Sequence, residues 1–356
     1  MARIVIESLP LTETPVQLPA GAKPEHLYLV FIADDGTERV IRADGPQGTI
    51  LVQADILLSE STDARGSATP EERNQADVDL MGRDPAEVWA TMVQHAEAIH
   101  AAQLPYRFYE NAQNSNSVVA STLNSVGIDI DSNMPAGKNN DQGFFTGIEN
   151  KIDAVTPPVV NWSYQLSDDI RLLRAGAGND TITGTDGNDT IYGGEGSDSV
   201  FAGLGHDLLD LTGTTAGNIL NGGNQGDTIL GGAGDDELRG GKGLDSIVGG
   251  AGDDTIYSGL GRDTLTGGDG ADVFVLRGYD ERFPGAVLAP TVTDFTAGTD
   301  KVAIQGVSAA EIAAALQSQA TVEGGVALSI AGATLTIIGV SSLSAGDVGT
   351  AEAFGV

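Results

Sequence analysis

From residue 175 to residue 275, apolar side chains recur at a period that belongs to neither a helix nor an ordinary strand. One returns every nine positions: Ile182, Ile191, Val200 and Leu209, then, after a break, Ile229, Leu238, Ile247, Ile256, Leu265 and Phe274. A helix face repeats near 3.6 residues and a half-buried strand at two. One inward residue in nine fits a very short strand flanked by tight turns. Two such units make a coil of about eighteen residues, and coils must stack to bury their isolated apolar side chains. The segment LTGTTAGNILN, residues 211–221, falls outside this reading and is expected to break the stacking register.

On either side the pattern changes. HLYLVFIADDG and ERVIRADG alternate as two strands joined by an Asp-Asp-Gly turn, and ILVQADI reads as a third. Asp84-Pro85 then opens a helix, with Asp as N-cap and Pro in the first turn. Val88, Met92, His95, Ala96 and Ile99 recur at helical spacing, so one face packs inward. A polar NSNS run leads into a second apolar helix, VVASTL, stopped at Gly127. Pro157-Pro158 marks an extended connector, and Trp162 and Tyr164 are placed to cover the first coil of the array. After residue 275 come alternating apolar positions, the helix-like SAAEIAAALQSQ and two further strands in VALSIAGATLTIIGV. The expected organisation is an α+β domain over residues 1–137, a linker and N-terminal cap over 138–174, a repeat array over 175–275, and a mostly β cap over 276–356. His95 and His100 read as helix-face residues, and His206 as a solvent-facing turn residue.

The polar positions of the array say what the coils need. Each copy reads Gly-Gly-x-Gly-x-Asp-x-aliphatic-x, most fully in GGAGDDELRGGKGLDSIVGGAGDDTIY. The sixth position is Asp180, Asp189, Asp198, Asp207, Asp227, Asp236, Asp245, Asp254, Asp263 and Asp272. Stacked coils set turn above turn and carboxylate above carboxylate, rows that repel unless a cation lies between them. Carboxylate and carbonyl oxygens are the hard ligands that calcium takes.

These repeats resemble the calcium-binding nonapeptide repeats of RTX, or hemolysin-type, proteins. The resemblance implies a parallel β-roll, a calcium-binding β-solenoid, with Ca2+ held between the turns of alternate repeats. Carried over by position, it implies ligands at Ala175, Ala177 and Asp180, at Gly184, Asp186 and Asp189, and at Gly194, Gly196 and Asp198. Next come Gly203, Gly205 and Asp207, then Gly222, Asn224 and Asp227. In the uninterrupted block they are Gly231, Ala233 and Asp236, then Gly240, Gly241, Lys242, Gly243 and Asp245. Gly249, Gly250, Ala251, Gly252 and Asp254 follow, then Gly259, Gly261 and Asp263, and finally Gly268, Gly270 and Asp272. One such site joins Gly231, Ala233 and Asp236 to Gly250, Gly252 and Asp254, two repeats later. The same pairing gives roughly six ions or more. Gln225 departs from the fourth-position glycine.

Composition narrows the partners. A net charge of −32 excludes nucleic acid as a phosphate-contacting partner and favours a cation. No cysteine is present, which removes disulfides, thiolate sites and a cysteine nucleophile. No stretch reaches the ~18 apolar residues of a membrane span. MARIVIESLPLTE lacks the pattern of a cleaved signal peptide. The C-terminal segment, with DFTAGTDKV, resembles the region of RTX proteins that precedes an uncleaved secretion signal. That implies export by a type I secretion apparatus and an extracellular location.

The N-terminal strands and the NSNS turn resemble permuted papain-like hydrolases, including PPPDE peptidases and lecithin–retinol acyltransferase relatives. By position Ser115 stands where that family has its cysteine, and His26 where it has its base. The departure matters, since a thiolate gains far more from a helix N-terminus than a serine hydroxyl does. Three readings stay open: a binding or disabled-enzyme domain for an unidentified extracellular partner, a serine-dependent hydrolase, and a structural protein of a surface or biofilm matrix. NSNS also reads simply as a helix cap.

Overall fold

A computed structural model describes residues 2–10, 25–44, 51–57, 74–102, 115–126, 128, 159–166, 172–277 and 288–356. The chain divides into two compact units, residues 1–159 and 160–356.

The first unit is α+β. Its strands are β1 (Arg3–Pro10), β2 (Glu25–Ile32), β3 (Glu38–Asp44), β4 (Leu51–Leu57) and β5 (Asn74–Asp77). They form an antiparallel sheet in the order β4-β3-β2-β1-β5. The helices are α1 (Pro85–Ala101) and α2 (Ser115–Asn124). Asp84 caps α1 by accepting the N–H of Ala86 at 2.9 Å and of Glu87 at 3.1 Å. Val88, Met92, His95, Ala96 and Ile99 are all buried, as their spacing requires. Trp89 stacks on Phe31, with ring centroids 5.7 Å apart. The Val52 N–H donates to His100 Nδ1 at 3.2 Å, tying the helix to β4.

Two strands escaped the sequence reading. β1 buries Ile4, Val5 and Ile6 in succession, so it lacks the alternation that marks a half-buried strand. β5 is too short and polar to signal itself. His26 lies within β2, opposite Leu9 of β1.

In the second unit the chain winds as a parallel roll. Its strands begin β6 (Ser163–Gln165), β7 (Leu172–Arg174), β8 (Thr181–Thr183), β9 (Thr190–Tyr192), β10 (Ser199–Leu204) and β11 (Leu208–Asp210). They continue as β12 (Ile219–Asn224), β13 (Thr228–Gly232), β14 (Glu237–Gly243) and β15 (Ser246–Ala251). β16 (Thr255–Gly261), β17 (Thr264–Asp269) and β18 (Val273–Arg277) complete the array. Even-numbered strands stack into one parallel sheet and odd-numbered strands into the other. One inward row runs Tyr164, Ile182, Val200, Leu220, Leu238, Ile256 and Phe274, each beside the next. The facing row runs Leu173, Ile191, Leu209, Ile229, Ile247 and Leu265. Burying each aliphatic member contributes about 1.5–3 kcal/mol.

Two expectations change. Residues 159–166 and 172–174 belong to the first coil of the roll, since Tyr164 and Leu173 are its opening rungs. The segment 211–221 does not break the register, because Leu220 sits between Val200 and Leu238. Two residues, Thr212 and Gly213, are inserted: Leu211 is buried and keeps the first position, its N–H meeting the Leu230 carbonyl as that of Ala175 meets Tyr192. Leu211 and residues 214–221 form one more nonapeptide unit, with Asn218 in the aspartate position. That asparagine hid the unit from a pattern built on aspartate.

The roll runs on past the last repeat. Its continuation comprises β19 (Thr291–Val292), β20 (Lys301–Gln305), α3 (Ala309–Gln317) and β21 (Ala320–Val322). β22 (Gly325–Ile330), β23 (Ala333–Ile338), β24 (Val348–Thr350) and α4 (Ala351–Phe354) finish the chain. β20 adds to β18, and β24 to β20, in parallel. On the other side the antiparallel β21-β22-β23 meander meets β19 through β23. A Ser308–Glu311 capping box starts α3, which packs on β22 and β24. Among the described residues no helix is long and apolar enough to cross a membrane.

The corrected register can be tested at two adjacent residues. Leu220 is fully buried and Ile219 is 51% exposed. Leu220→Ala is expected to cost about 2–5 kcal/mol, and Ile219→Ala at most about 0.5 kcal/mol. Urea unfolding in saturating calcium measures both, and equal losses would contradict the register.

A ladder of half-satisfied carboxylates

The turns between strands carry the aspartates, and all ten are buried. They form two ladders that share one geometry. Along them Oδ1 accepts a backbone N–H from one coil earlier, given by another aspartate in most rungs, by Trp162 to Asp180 and by Asn218 to Asp236. In the first ladder Asp180 donates to Asp198 at 2.8 Å, Asp236 to Asp254 at 2.8 Å, and Asp254 to Asp272 at 3.0 Å. In the second, Asp189 donates to Asp207 at 2.8 Å, Asp227 to Asp245 at 3.0 Å, and Asp245 to Asp263 at 3.1 Å.

The other oxygen is different. Oδ2 of Asp198, Asp227, Asp236, Asp245, Asp254, Asp263 and Asp272 is buried without a hydrogen-bond partner. A buried carboxylate oxygen left in this state costs several kcal/mol unless a cation or proton meets it. What surrounds it is oxygen. A Cβ built on Gly231 would fall 2.4 Å from Asp236 Oδ2 and 2.6 Å from the Gly249 carbonyl oxygen of the next coil. On Gly249 it would fall 2.1 Å from Asp254 Oδ2 and 2.6 Å from the Gly267 carbonyl oxygen. At these two positions glycine leaves the space in which the oxygens meet; Ala175, Ala202 and Ser258 hold the first position of their own repeats with small side chains, all buried.

At the second position the demand is conformational as well. Gly250 has φ +123°, and a Cβ there would lie 1.9 Å from the Gly232 carbonyl oxygen. Gln225 takes a positive φ of 73° in place of the fourth-position glycine. Its Oε1 accepts the Gly205 N–H at 2.8 Å. Asp189 is also distinct, for Thr185 donates its N–H to Oδ2 at 2.7 Å and places its hydroxyl 3.0 Å away.

Asp236 Oδ2 and the Gly249 carbonyl oxygen border the same small space beside Gly231. Among the described residues no three acidic or histidine side chains converge on one point. An ion held here would need much of its coordination from main-chain carbonyls, which calcium accepts readily. His206 lies outside the cradles, exposed, with Nδ1 2.8 Å from the Gly226 carbonyl oxygen.

Beyond the array the ladder continues in a different state. Asp300 Oδ1 receives the Asp272 N–H at 3.2 Å, and its Oδ2 receives the Thr296 N–H at 2.6 Å. Asp347 accepts from Gly298 N–H at 3.0 Å, from Ser344 N–H at 2.9 Å and from the Ser344 hydroxyl at 2.6 Å. Electrostatics follow the bonding. Burial pushes Asp198, Asp227, Asp254 and Asp263 up to about 7, and Asp236, Asp245 and Asp272 up to about 6. Burial acts on Asp347 in the same direction, yet bonds from Ser344 and Gly298 outweigh it and hold that carboxyl below its ordinary value.

In the first unit, Ser115 is the first residue of α2 and His26 lies in β2. The side chains of both lie outside the described residues.

A parallel β-roll whose turns stack half-satisfied carboxylates against carbonyls is a cation-binding solenoid. Its kind is the RTX calcium-binding nonapeptide repeat, whose family model (4 copies) matches residues 174–209, 212–247 and 240–274. No curated protein matches this chain. Among solved structures, a subunit (AlgE6R3) of the Azotobacter vinelandii mannuronan C5-epimerase is 24% identical, over 40% of this chain and 82% of that one, with a TM-score of 0.24. The extracellular lipase LipA from Serratia marcescens is 17% identical, with a TM-score of 0.21. That match covers 52% of this chain and less than half, 42%, of the lipase.

The raised carboxyls set a pH dependence for the calcium-free roll. A folded-state value above the unfolded one stabilises the fold at low pH and loses that contribution as pH rises through the folded value. Here the contribution is complete below about pH 4 and lost through about pH 6–7. With chelator present, circular dichroism should show more β-structure near pH 5 than near pH 8. Identical spectra would contradict it.

Proposed function

We propose that this is a secreted protein whose roll folds on calcium outside the cell and carries an N-terminal unit that binds an extracellular partner. The observation that carries the reading is the row of buried, half-satisfied carboxylates, which calcium would complete by bridging carboxylate and carbonyl oxygens of neighbouring coils. The residues on hand for it are the turn aspartates together with first-position carbonyls such as those of Gly249 and Gly267. Roughly six ions or more would fill the array on this pairing. Residues 276–356 would cap the roll and carry the uncleaved signal read by a type I secretion apparatus. Extracellular oxygen-ligand modules bind calcium at about 10⁻⁴–10⁻³ M, so the array would stay unfolded where calcium is scarce and gain folding energy where it is abundant. Circular dichroism of the full chain should show β-structure rising across that concentration range at neutral pH. An identical signal in excess chelator and in saturating calcium would defeat the proposal.

A second reading, a serine-dependent hydrolase of the amidase, peptidase or acyltransferase type, draws on one placement. Ser115 opens α2, and α2 packs on β2, the strand that carries His26. The change Ser115→Cys probes it. A thiol at a helix N-terminus beside an imidazole should titrate well below the ~8.5 of a free cysteine, as followed by pH-dependent alkylation. A titration at the free value would leave Ser115 a helix-capping residue.

A further inference from the structure

Asn218 occupies the ladder position that is aspartate at Asp180, Asp198, Asp236, Asp254 and Asp272. Its Oδ1 behaves as theirs does, accepting the Asp198 N–H at 2.9 Å. Its other terminus is a donor where an aspartate would present an oxygen. Nδ2 donates to the Ala216 carbonyl at 3.0 Å, to Asp236 Oδ1 at 3.0 Å and, more weakly, to the Gly231 carbonyl at 3.4 Å. The amide orientation is fixed by this network, because one side faces an N–H and the other faces only oxygens.

Gly231 stands to Asn218 as Gly249 stands to Asp236, being the first-position residue of the next coil. At Asp236 that carbonyl borders the same small space as the unpartnered Oδ2, oxygen beside oxygen, a setting that favours a cation. At Asn218 the same kind of carbonyl faces N–H hydrogens, and that setting is absent. One further feature of the unit agrees. Thr214, at the second position, donates its hydroxyl to the Gly196 carbonyl of the preceding coil at 3.0 Å.

We propose that the rung between Asn218 and Asp236 is closed by the Asn218 side-chain amide in place of calcium. The calcium sites of this ladder then fall into two blocks on either side of a rung that folds without an ion. The inference rests on the reading that the array binds calcium, and the test separates the two. Bound calcium is counted on the full chain at saturation, by equilibrium dialysis and elemental analysis, for wild type and Asn218→Asp. The variant is expected to bind one ion more per chain. An unchanged count in a variant with the wild-type β-signal overturns the proposal alone, while a wild-type chain that binds no calcium overturns it together with the calcium reading. Should Asn218→Asp not fold, the amide is moved instead. Asp254→Asn can donate to the following coil and Asp254→Ala cannot, so the Asn variant should reach half its β-signal at a lower calcium concentration. Equal midpoints for those two overturn the proposal.

Discussion

Most carboxylates in the array have a divided existence. One oxygen is spent inside the protein, accepting the N–H of the coil before it, and that bond sets the vertical spacing of the ladder. At Asp198, Asp227, Asp236, Asp245, Asp254, Asp263 and Asp272 the other is buried with no hydrogen-bond partner in the chain. Everything else in the roll depends on this imbalance. The apolar rows are one residue wide, so the hydrophobic gain per coil is two side chains, small beside the conformational entropy of ordering some eighteen residues. Burial alone leaves little margin. On the calcium reading proposed above, a cation would turn the most unfavourable feature of the turn into its main attraction, and folding energy and binding energy would become one quantity.

The same constraint explains why glycine is used so heavily and why its positions are not equivalent. At Gly231 and Gly249 the backbone needs no unusual φ, and what matters is empty space for Oδ2. At Gly250 the chain must adopt φ +123° with a carbonyl of the previous coil pressed against it. A substitution at the first kind of site would obstruct the ligand cradle, and one at the second would strain the chain itself. Thr185 shows a third outcome: a donor in a turn that supplies the aspartate from within the protein.

The array was legible because its period is set by stacking geometry, and each unit repeats one demand ten times over. Where the demand is met differently, the pattern lapses. Asn218 keeps the hydrogen bond of an aspartate and removes the charge, so a reading anchored on aspartate passed over a complete unit. Tyr164 and Leu173 are rungs of the same roll without the glycine turn that announces the others. In the first unit, α1 showed itself through its cap and its 3.6-residue spacing, whereas β1 is buried too continuously to alternate. The facing of carbonyls was out of reach for another reason. Sequence position names which residues line a turn, but the direction of each carbonyl depends on φ and ψ, which a residue pattern does not state.

The two ends of the ladder differ in a way that bears on how the roll can assemble. A solenoid in which each coil touches only its neighbours needs a formed edge on which to stack. Asp300 and Asp347 prolong the ladder into the C-terminal cap, and there both oxygens find donors in the chain: Thr296 for one, Gly298 and Ser344 for the other. The cap has an antiparallel meander and a capped helix of its own, elements built from pairings close in sequence. Its last array-facing strand, β20, carries Val302 directly beside Phe274 of β18. The cap thus presents a parallel edge, an apolar rung and a carboxylate in register to the coil before it, with donors of the chain on that carboxylate. On the calcium reading the cradles begin inward of this edge, so the C-terminal end is one where stacking meets little electrostatic opposition.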